Sequence, residues 1–203
     1  LSAEDFGELL GQHGITRETT VVLYGDFFNW FAAHAYWLLR YYRHEDIRLL
    51  DGGWKYWTEA DFPTTTERPE FSTRRYDAPS PDESVRARRD EVESATEDES
   101  CLLDVRAPPE FRGEILAPPG WNEGVQRGGH IPGAINTPCR LTIDADRRFR
   151  PREELAALFE QIGDTDRTIV YCRIGERSAL VWFVLTELLG SEHVSYYYGS
   201  FVE

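Results

Sequence analysis

The amino-acid sequence predicts an α/β protein of two similar units, each a mostly parallel sheet with helices on both faces. Three observations predict it. At an offset of 147 positions, Thr20-Val21-Val22-Leu23-Tyr24 falls near Arg167-Thr168-Ile169-Val170-Tyr171 with the two tyrosines in register, so the chain carries an internal repeat. In each copy a short β-branched run leads through a loop into an apolar helical stretch and a second strand-like run, the alternation expected of a parallel sheet covered on both faces. Finally, 203 residues with 41% hydrophobic and 13% aromatic side chains can bury a sizeable core, which excludes a disordered chain.

Taken in order, Glu8-Leu9-Leu10-Gly11-Gln12 reads as helix and resembles Ala157-Leu158-Phe159-Glu160-Gln161 after a two-residue slip. Thr20 to Tyr24 is the first strand. Ala32 then meets Ala179 and Leu38 meets Leu185 in the apolar helix, and Glu45 to Leu49 meets Glu192 to Tyr196 in the next strand. Only 23 residues precede Tyr24 whereas far more of the second copy precedes Tyr171, so the first unit is expected to be incomplete. The absence of methionine and the start at Leu1 likewise suggest a fragment. The expected partition is a partial first domain over 1–62, a linker over 63–81 marked by Pro63, Pro69, Pro79 and Pro81, and a second domain over 82–203.

A short charged helix around Asp82–Ala95 is expected to open the second domain. Cys101 to Val105 has a buried-strand pattern, Gly113 to Gly129 reads as a surface loop, and Ile131 to Pro138 as a short strand. Pro151-Arg152-Glu153-Glu154 opens a helix with acids in its first turn. Ser178 to Leu189 is apolar almost all round and reads as a buried helix.

Charge and cysteine content narrow the partners. With 22 basic and 36 acidic residues the net charge is −14, which repels phosphate backbones and argues against nucleic acid and anionic membranes. No apolar run approaches the roughly 20 residues that span a bilayer. Lys55 is the one lysine among the 22 basic residues, a composition suited to a very salty, halophilic cytoplasm. Cys101, Cys139 and Cys172 are odd in number and form no CxxC pair, which argues against a disulfide framework or zinc knuckle and favours a reducing, cytoplasmic setting.

The informative segment is Thr168 to Ser178. A strand delivers Cys172 to its C-terminal end, a tight loop follows, and a helix is expected from Ser178, which is where ligands sit in open α/β sheets. Loop amides and the helix start would form an anion cradle from Arg173, Ile174, Gly175, Glu176, Arg177 and Ser178. Two guanidiniums beside the sulfur would lower its pKa from roughly 8.5 toward thiolate at neutral pH. A cysteine at a strand end is ordinarily a small core residue; the flanking arginines and the loop context reverse that assignment here. Cysteine phosphatases place five residues between nucleophile and arginine, but four separate Cys172 from Arg177, a smaller ring that suits a persulfide sulfur better than a phosphate.

The string CRIGERS at 172–178, the strand-borne Asp104-Val105-Arg106, the Glu110-Phe111 pair and Gly129-His130-Ile131-Pro132-Gly133-Ala134 together resemble the rhodaneses. Over nearly its whole length the chain is similar to tandem-domain thiosulfate sulfurtransferases. That resemblance implies a silent first domain and a catalytic second one. Consistently, Gly25 aligns with Cys172, and the loop Asp26-Phe27-Phe28-Asn29-Trp30 has neither thiol nor cation. It also implies the chemistry: the Cys172 thiolate takes the outer sulfur of thiosulfate, sulfite departs, and a thiol or cyanide acceptor removes the sulfur in a ping-pong scheme. No metal and no organic cofactor are expected. By resemblance Asp104 and Arg106 help to frame the loop, with a structural ion pair as the equal alternative, and His130 belongs to a structural turn. Cys101 and Cys139 read as core or loop residues, and Trp30, Trp37, Trp54 and Trp57 as packing for the first domain. His13, His34, His44 and His193 lie in no motif, so a cysteine-protease reading lacks a partner. Where the family continues Tyr-Asp-Gly-Ser-Trp, this chain has Tyr197-Tyr198-Gly199-Ser200-Phe201 and ends at Glu203, so the closing helix is expected to be absent. Two rivals stand beside thiosulfate sulfurtransfer. A 3-mercaptopyruvate sulfurtransferase would carry small neutral residues in place of Arg173 and Glu176, and a persulfide carrier or sensor would hand sulfur to a protein partner.

Overall fold

The computed structural model describes residues 1–121 and 124–203; Asn122 and Glu123, which belong to the expected Gly113–Gly129 loop, lie outside the described residues. The chain divides into two compact units, Leu1–Glu83 and Ser84–Glu203.

In the first unit Ser2 caps α1 (Ala3–Gln12), its hydroxyl accepting from the Asp5 amide while the Asp5 carboxylate accepts from the Ser2 amide. β1 (Val21–Leu23) and β2 (Ile47–Leu49) pair in parallel with Val22 opposite Arg48, joined through α2 (Trp30–Tyr41). This is one βαβ unit, followed by α3 (Gly53–Glu59). Ala33, Trp37 and Leu39 bury the inner side of α2. The segment expected as a linker carries no helix or strand over 63–81, yet its later part packs on this unit. Tyr76 is buried against Phe6 and its hydroxyl meets the buried His44, and the Arg74 amide donates to Gly11 O.

The second unit is a five-stranded, wholly parallel sheet of order β3-β7-β6-β4-β5. Its strands are β3 (Arg86–Ala87), β4 (Cys101–Asp104), β5 (Ile135–Asn136), β6 (Thr168–Tyr171) and β7 (Val194–Tyr197). The central β6 is buried at all four positions, as a strand covered on both faces must be. Its helices are α4 (Arg89–Ser94), α5 (Pro108–Phe111), α6 (Arg152–Leu158) and α7 (Glu176–Phe183). No helix of the described residues is long and apolar enough to cross a membrane.

Three expected elements differ. The helix expected over Asp82–Ala95 is interrupted, because Arg86 and Ala87 pair with Tyr196 and Tyr197 of β7; helix begins only at Arg89, where the Glu91 carboxylate accepts from the Arg88 amide. The strand expected over Ile131–Pro138 shrinks to Ile135–Asn136, since Pro132 and Gly133 make a turn closed by the Ala134 amide on Ile131 O. The helix expected from Ser178 starts two residues earlier at Glu176 and ends in a π-helical turn over Val184–Leu189, whose last carbonyls, Leu188 and Leu189, accept from the Arg152 guanidinium.

Candidate active site

Strand β6 ends at Tyr171, and Cys172 follows with no solvent exposure. Its backbone is held on two sides. The Tyr171 carbonyl accepts from the Val105 amide, while the Cys172 amide donates to Ser200 Oγ at 3.3 Å and its carbonyl accepts from the Phe201 amide at 3.2 Å. The Val202 amide closes on Arg173 O, so the 3-10 turn Ser200–Val202 is fastened to the start of the loop.

The loop then turns through Gly175 at φ 110°, a conformation that L side chains rarely adopt; a Cβ there would also collide with the Tyr196 hydroxyl. This turn aims the Gly175 amide at Cys172 Sγ, 3.1 Å away, and makes Gly175 the N-cap of α7. The Glu176 carboxylate lies on the other side of the sulfur, with Oε2 3.5 Å from Sγ. Ser178 does not face the sulfur: its hydroxyl donates to Gly175 O at 2.8 Å and locks the turn. Ile174 is half-buried and contributes no polar side-chain atom.

The two arginines expected as cations beside the sulfur have different surroundings. Arg177 is held in a two-pronged, buried ion pair with Glu110 of α5, at 2.7 and 2.9 Å, and its Nε lies 3.5 Å from Glu176 Oε1. Much of its charge is therefore answered by carboxylate. Burial alone would raise the Glu110 pKa, but the Arg177 hydrogen bonds and charge outweigh it and hold this carboxyl below the usual glutamate range. Arg173 is also buried, and its guanidinium lies 5.0 Å from the ring centre of Trp121.

Asp104 and Arg106 form a buried ion pair at 2.6 Å, and Arg106 also donates to Gly129 O and stacks 4.1 Å over the Phe201 ring. The pair thereby ties the end of β4 to the Gly129–Ala134 turn and to the 3-10 turn beneath Cys172. His130 stacks on Phe111 and its Nδ1 donates to Phe111 O at 2.8 Å; the Ile131 amide donates to Tyr171 Oη at 3.1 Å. Burial pushes the Cys101 thiol up to about 11 and the Cys139 thiol up to about 12, which disfavours both as nucleophiles near neutrality. Among the described residues no cluster of three or more His, Cys, Asp or Glu could hold a metal ion.

Sequence reasoning missed Glu110 as the partner of Arg177, Trp121 beside Arg173, and Ser200 under Cys172. An acid three residues after Ala107 in a Pro-opened helix was a visible capping signal, and Glu110 does accept from the Ala107 amide. Nothing local marks its second partner, 67 residues away.

The rhodanese-like domain model matches residues 2–60 and 88–203. A Haloferax volcanii protein bearing the name "Putative thiosulfate sulfurtransferase" is 52% identical over 205 residues, covering 100% of this chain and 72% of its own length. The Thermus thermophilus "Sulfur carrier protein TtuD" is 48% identical over 210 residues, covering 100% of this chain and 74% of its own. Among solved structures, the anaerobic ergothioneine biosynthesis enzyme from Chlorobium limicola, in complex with trimethyl histidine, superposes with a TM-score of 0.86 at 28% identity over 100% of this chain. The present chain spans about half of that protein, 52% of its length. The matched residues include the whole Cys172 loop together with Asp104, Arg106 and Glu110, and on that footing the chain belongs to the rhodanese-like family.

Proposed function

We propose that this protein is a sulfurtransferase that moves the sulfane sulfur of thiosulfate to a thiol or cyanide through a persulfide on Cys172. The observation that carries the reading is the Gly175 amide aimed at Cys172 Sγ at the end of the central parallel strand, inside a loop of four residues between Cys172 and Arg177. In the first half-reaction the Cys172 sulfur attacks the outer sulfur of thiosulfate, the S–S bond breaks, and sulfite leaves with the electron pair. In the second, the acceptor attacks the outer persulfide sulfur and Cys172 leaves as thiolate. The Arg173 guanidinium and the loop amides stabilise the donor's negative charge, and Asp104 with Arg106 position the wall behind the loop.

The domain assignment belongs to the same proposal: a partial, non-catalytic rhodanese-like domain over 1–62, a connecting segment over 63–81, and a catalytic rhodanese-like domain over 82–203. The deciding experiment is intact mass after thiosulfate treatment. A gain of one sulfur atom on the wild type supports the reading, and an unchanged mass removes it. The name of the Thermus relative favours one second reading, a persulfide carrier serving a protein acceptor. Steady-state turnover with cyanide separates the two, since a carrier loads once and turns over slowly.

A further inference from the structure

We infer that Glu176 is the proton acceptor of Cys172, an assignment that deepens the sulfurtransferase reading and rests on it. The carboxylate is 5% exposed and its Oε2 stands 3.5 Å from the sulfur, a hydrogen-bond distance for a thiol donor. Two buried carboxylates, Glu110 and Glu176, share the guanidinium of Arg177, and Glu110 takes both of its terminal nitrogens. Glu176 is left the longer Nε contact and the thiol proton. The sulfur meanwhile accepts from the Gly175 amide at 3.1 Å. The arrangement suits both proton positions: a thiol donating to a carboxylate, or a thiolate held by the amide and by a protonated carboxyl.

An ionised carboxylate against the nucleophile is otherwise out of place in a site that receives a dianion. Taking the thiol proton gives the carboxylate a role there. The S–H bond of Cys172 breaks, an O–H bond forms on Glu176 Oε2, and the sulfur keeps its electron pair for attack on the donor. The charge of the buried cluster does not change. When the acceptor later removes the outer sulfur, the Cys172 thiolate takes the same proton back and Glu176 is again ionised. The titratable and charged groups within reach of this carboxylate are Cys172 in the loop, Arg177 on α7, Tyr196 on β7 with Arg86 of β3 behind it, Cys139 in the 3-10 turn Cys139–Thr142, and Glu110 behind Arg177. The alternative role for Glu176 is structural, an acid in the first turn of α7 favoured by the helix dipole.

The test compares wild type, Glu176→Gln and Glu176→Asp. With the acceptor removed, kcat/KM for thiosulfate at neutral pH should fall about 100-fold, a typical general-base contribution. The acid limb of its pH profile should move, because the carboxylate no longer takes the proton. Glu176→Asp should recover part of both. An unchanged acid limb in Glu176→Gln, or an equal fall at every pH, overturns the assignment and leaves Glu176 a structural acid. The ultraviolet thiolate signal, taken as a difference from Cys172→Ser, needs no turnover. Its dependence on pH should differ between wild type and Glu176→Gln. If that change is seen in a protein that takes no sulfur from thiosulfate, the substrate reading fails and the proton assignment stands. If sulfur is taken up and the signal rises identically in both, the proton assignment alone fails.

Discussion

After β1 the first unit makes a loop through Gly25 to Asn29 before α2, and after β6 the second makes a loop through Cys172 to Gly175 before α7. Both connect a short parallel strand to an apolar helix. In the first, the Gly25 amide donates to Asn29 Oδ1 at 2.9 Å, and Asn29 Nδ2 donates to Leu50 O at 2.7 Å. Phe27, Phe28 and Asn29 all have positive φ, a strained run stabilised by that side-chain bridge. In the second, glycine alone carries the positive φ, and the loop amide reaches a sulfur instead of an amide oxygen. The same scaffold thus satisfies itself in one unit and presents a cysteine thiol in the other. Chemistry resides in the loop residues, and the fold only places them.

The sharpest way to break this comparison is to move the thiol. Cys172→Ser should abolish sulfur uptake by intact mass while the circular dichroism spectrum and melting temperature stay near wild type. Adding Gly25→Cys to it should restore nothing, although a Cβ at Gly25 comes only as near as 3.7 Å to Ala32 Cβ and so fits. A sulfur gain at residue 25 would mean that strand position suffices and the Cys172 loop does not matter.

Next in size is Glu110→Gln, which takes from the buried Arg177 its two-pronged carboxylate partner. Removing one partner of a buried pair costs about 3–5 kcal/mol, readable as a lowered urea midpoint of the second unit. The pH dependence has a definite sign. Because the folded state depresses the Glu110 pKa, its stabilisation is present above the ordinary glutamate range and is lost as pH falls through the folded value. The gap between wild type and variant should therefore narrow on acidification; a gap that widens would refute the pairing as the cause.

Arg173→Gly sharpens the contrast with Asp26, its counterpart in the first unit. Loss of one charge-assisted contact, about 1.5–3 kcal/mol, predicts roughly a ten- to hundredfold fall in kcat/KM for thiosulfate. Turnover of 3-mercaptopyruvate, whose carboxylate lies farther from the transferred sulfur, should be nearly unaffected. Equal losses on both donors would make Arg173 a loop-shaping residue. The smallest effect on chemistry belongs to Asn29→Ala. It should destabilise the first unit by about 1–3 kcal/mol, since the Gly25 amide loses its acceptor, and leave sulfur uptake unchanged.

The elements nearest the chemistry were the most legible. Thr168 to Tyr171 stands out because a buried parallel strand must be a short apolar run, and Val21 to Leu23, although half-exposed, stands out because it repeats that run. The Cys172 loop was legible because strand, glycine and helix follow within a few residues. Arg86–Ala87 was hidden because so short a strand carries no periodicity and exists only through pairing with Tyr196 and Tyr197. The carboxylate partners of Arg177 are hidden for a related reason. Counting Arg173 and Arg177 along the chain weighs cations, whereas Glu110 and Glu176 answer Arg177 through tertiary contact and through a carboxylate read merely as part of the cradle.

The complete enclosure of Cys172 has a consequence for the lifetime of what it carries. Oxidation of a sulfur to sulfenic and sulfinic acid follows its exposure as well as its ionisation, and this one has no surface in contact with solvent. Peroxide meets the same obstacle, a sulfur walled in by the Gly175 amide and the Glu176 carboxylate.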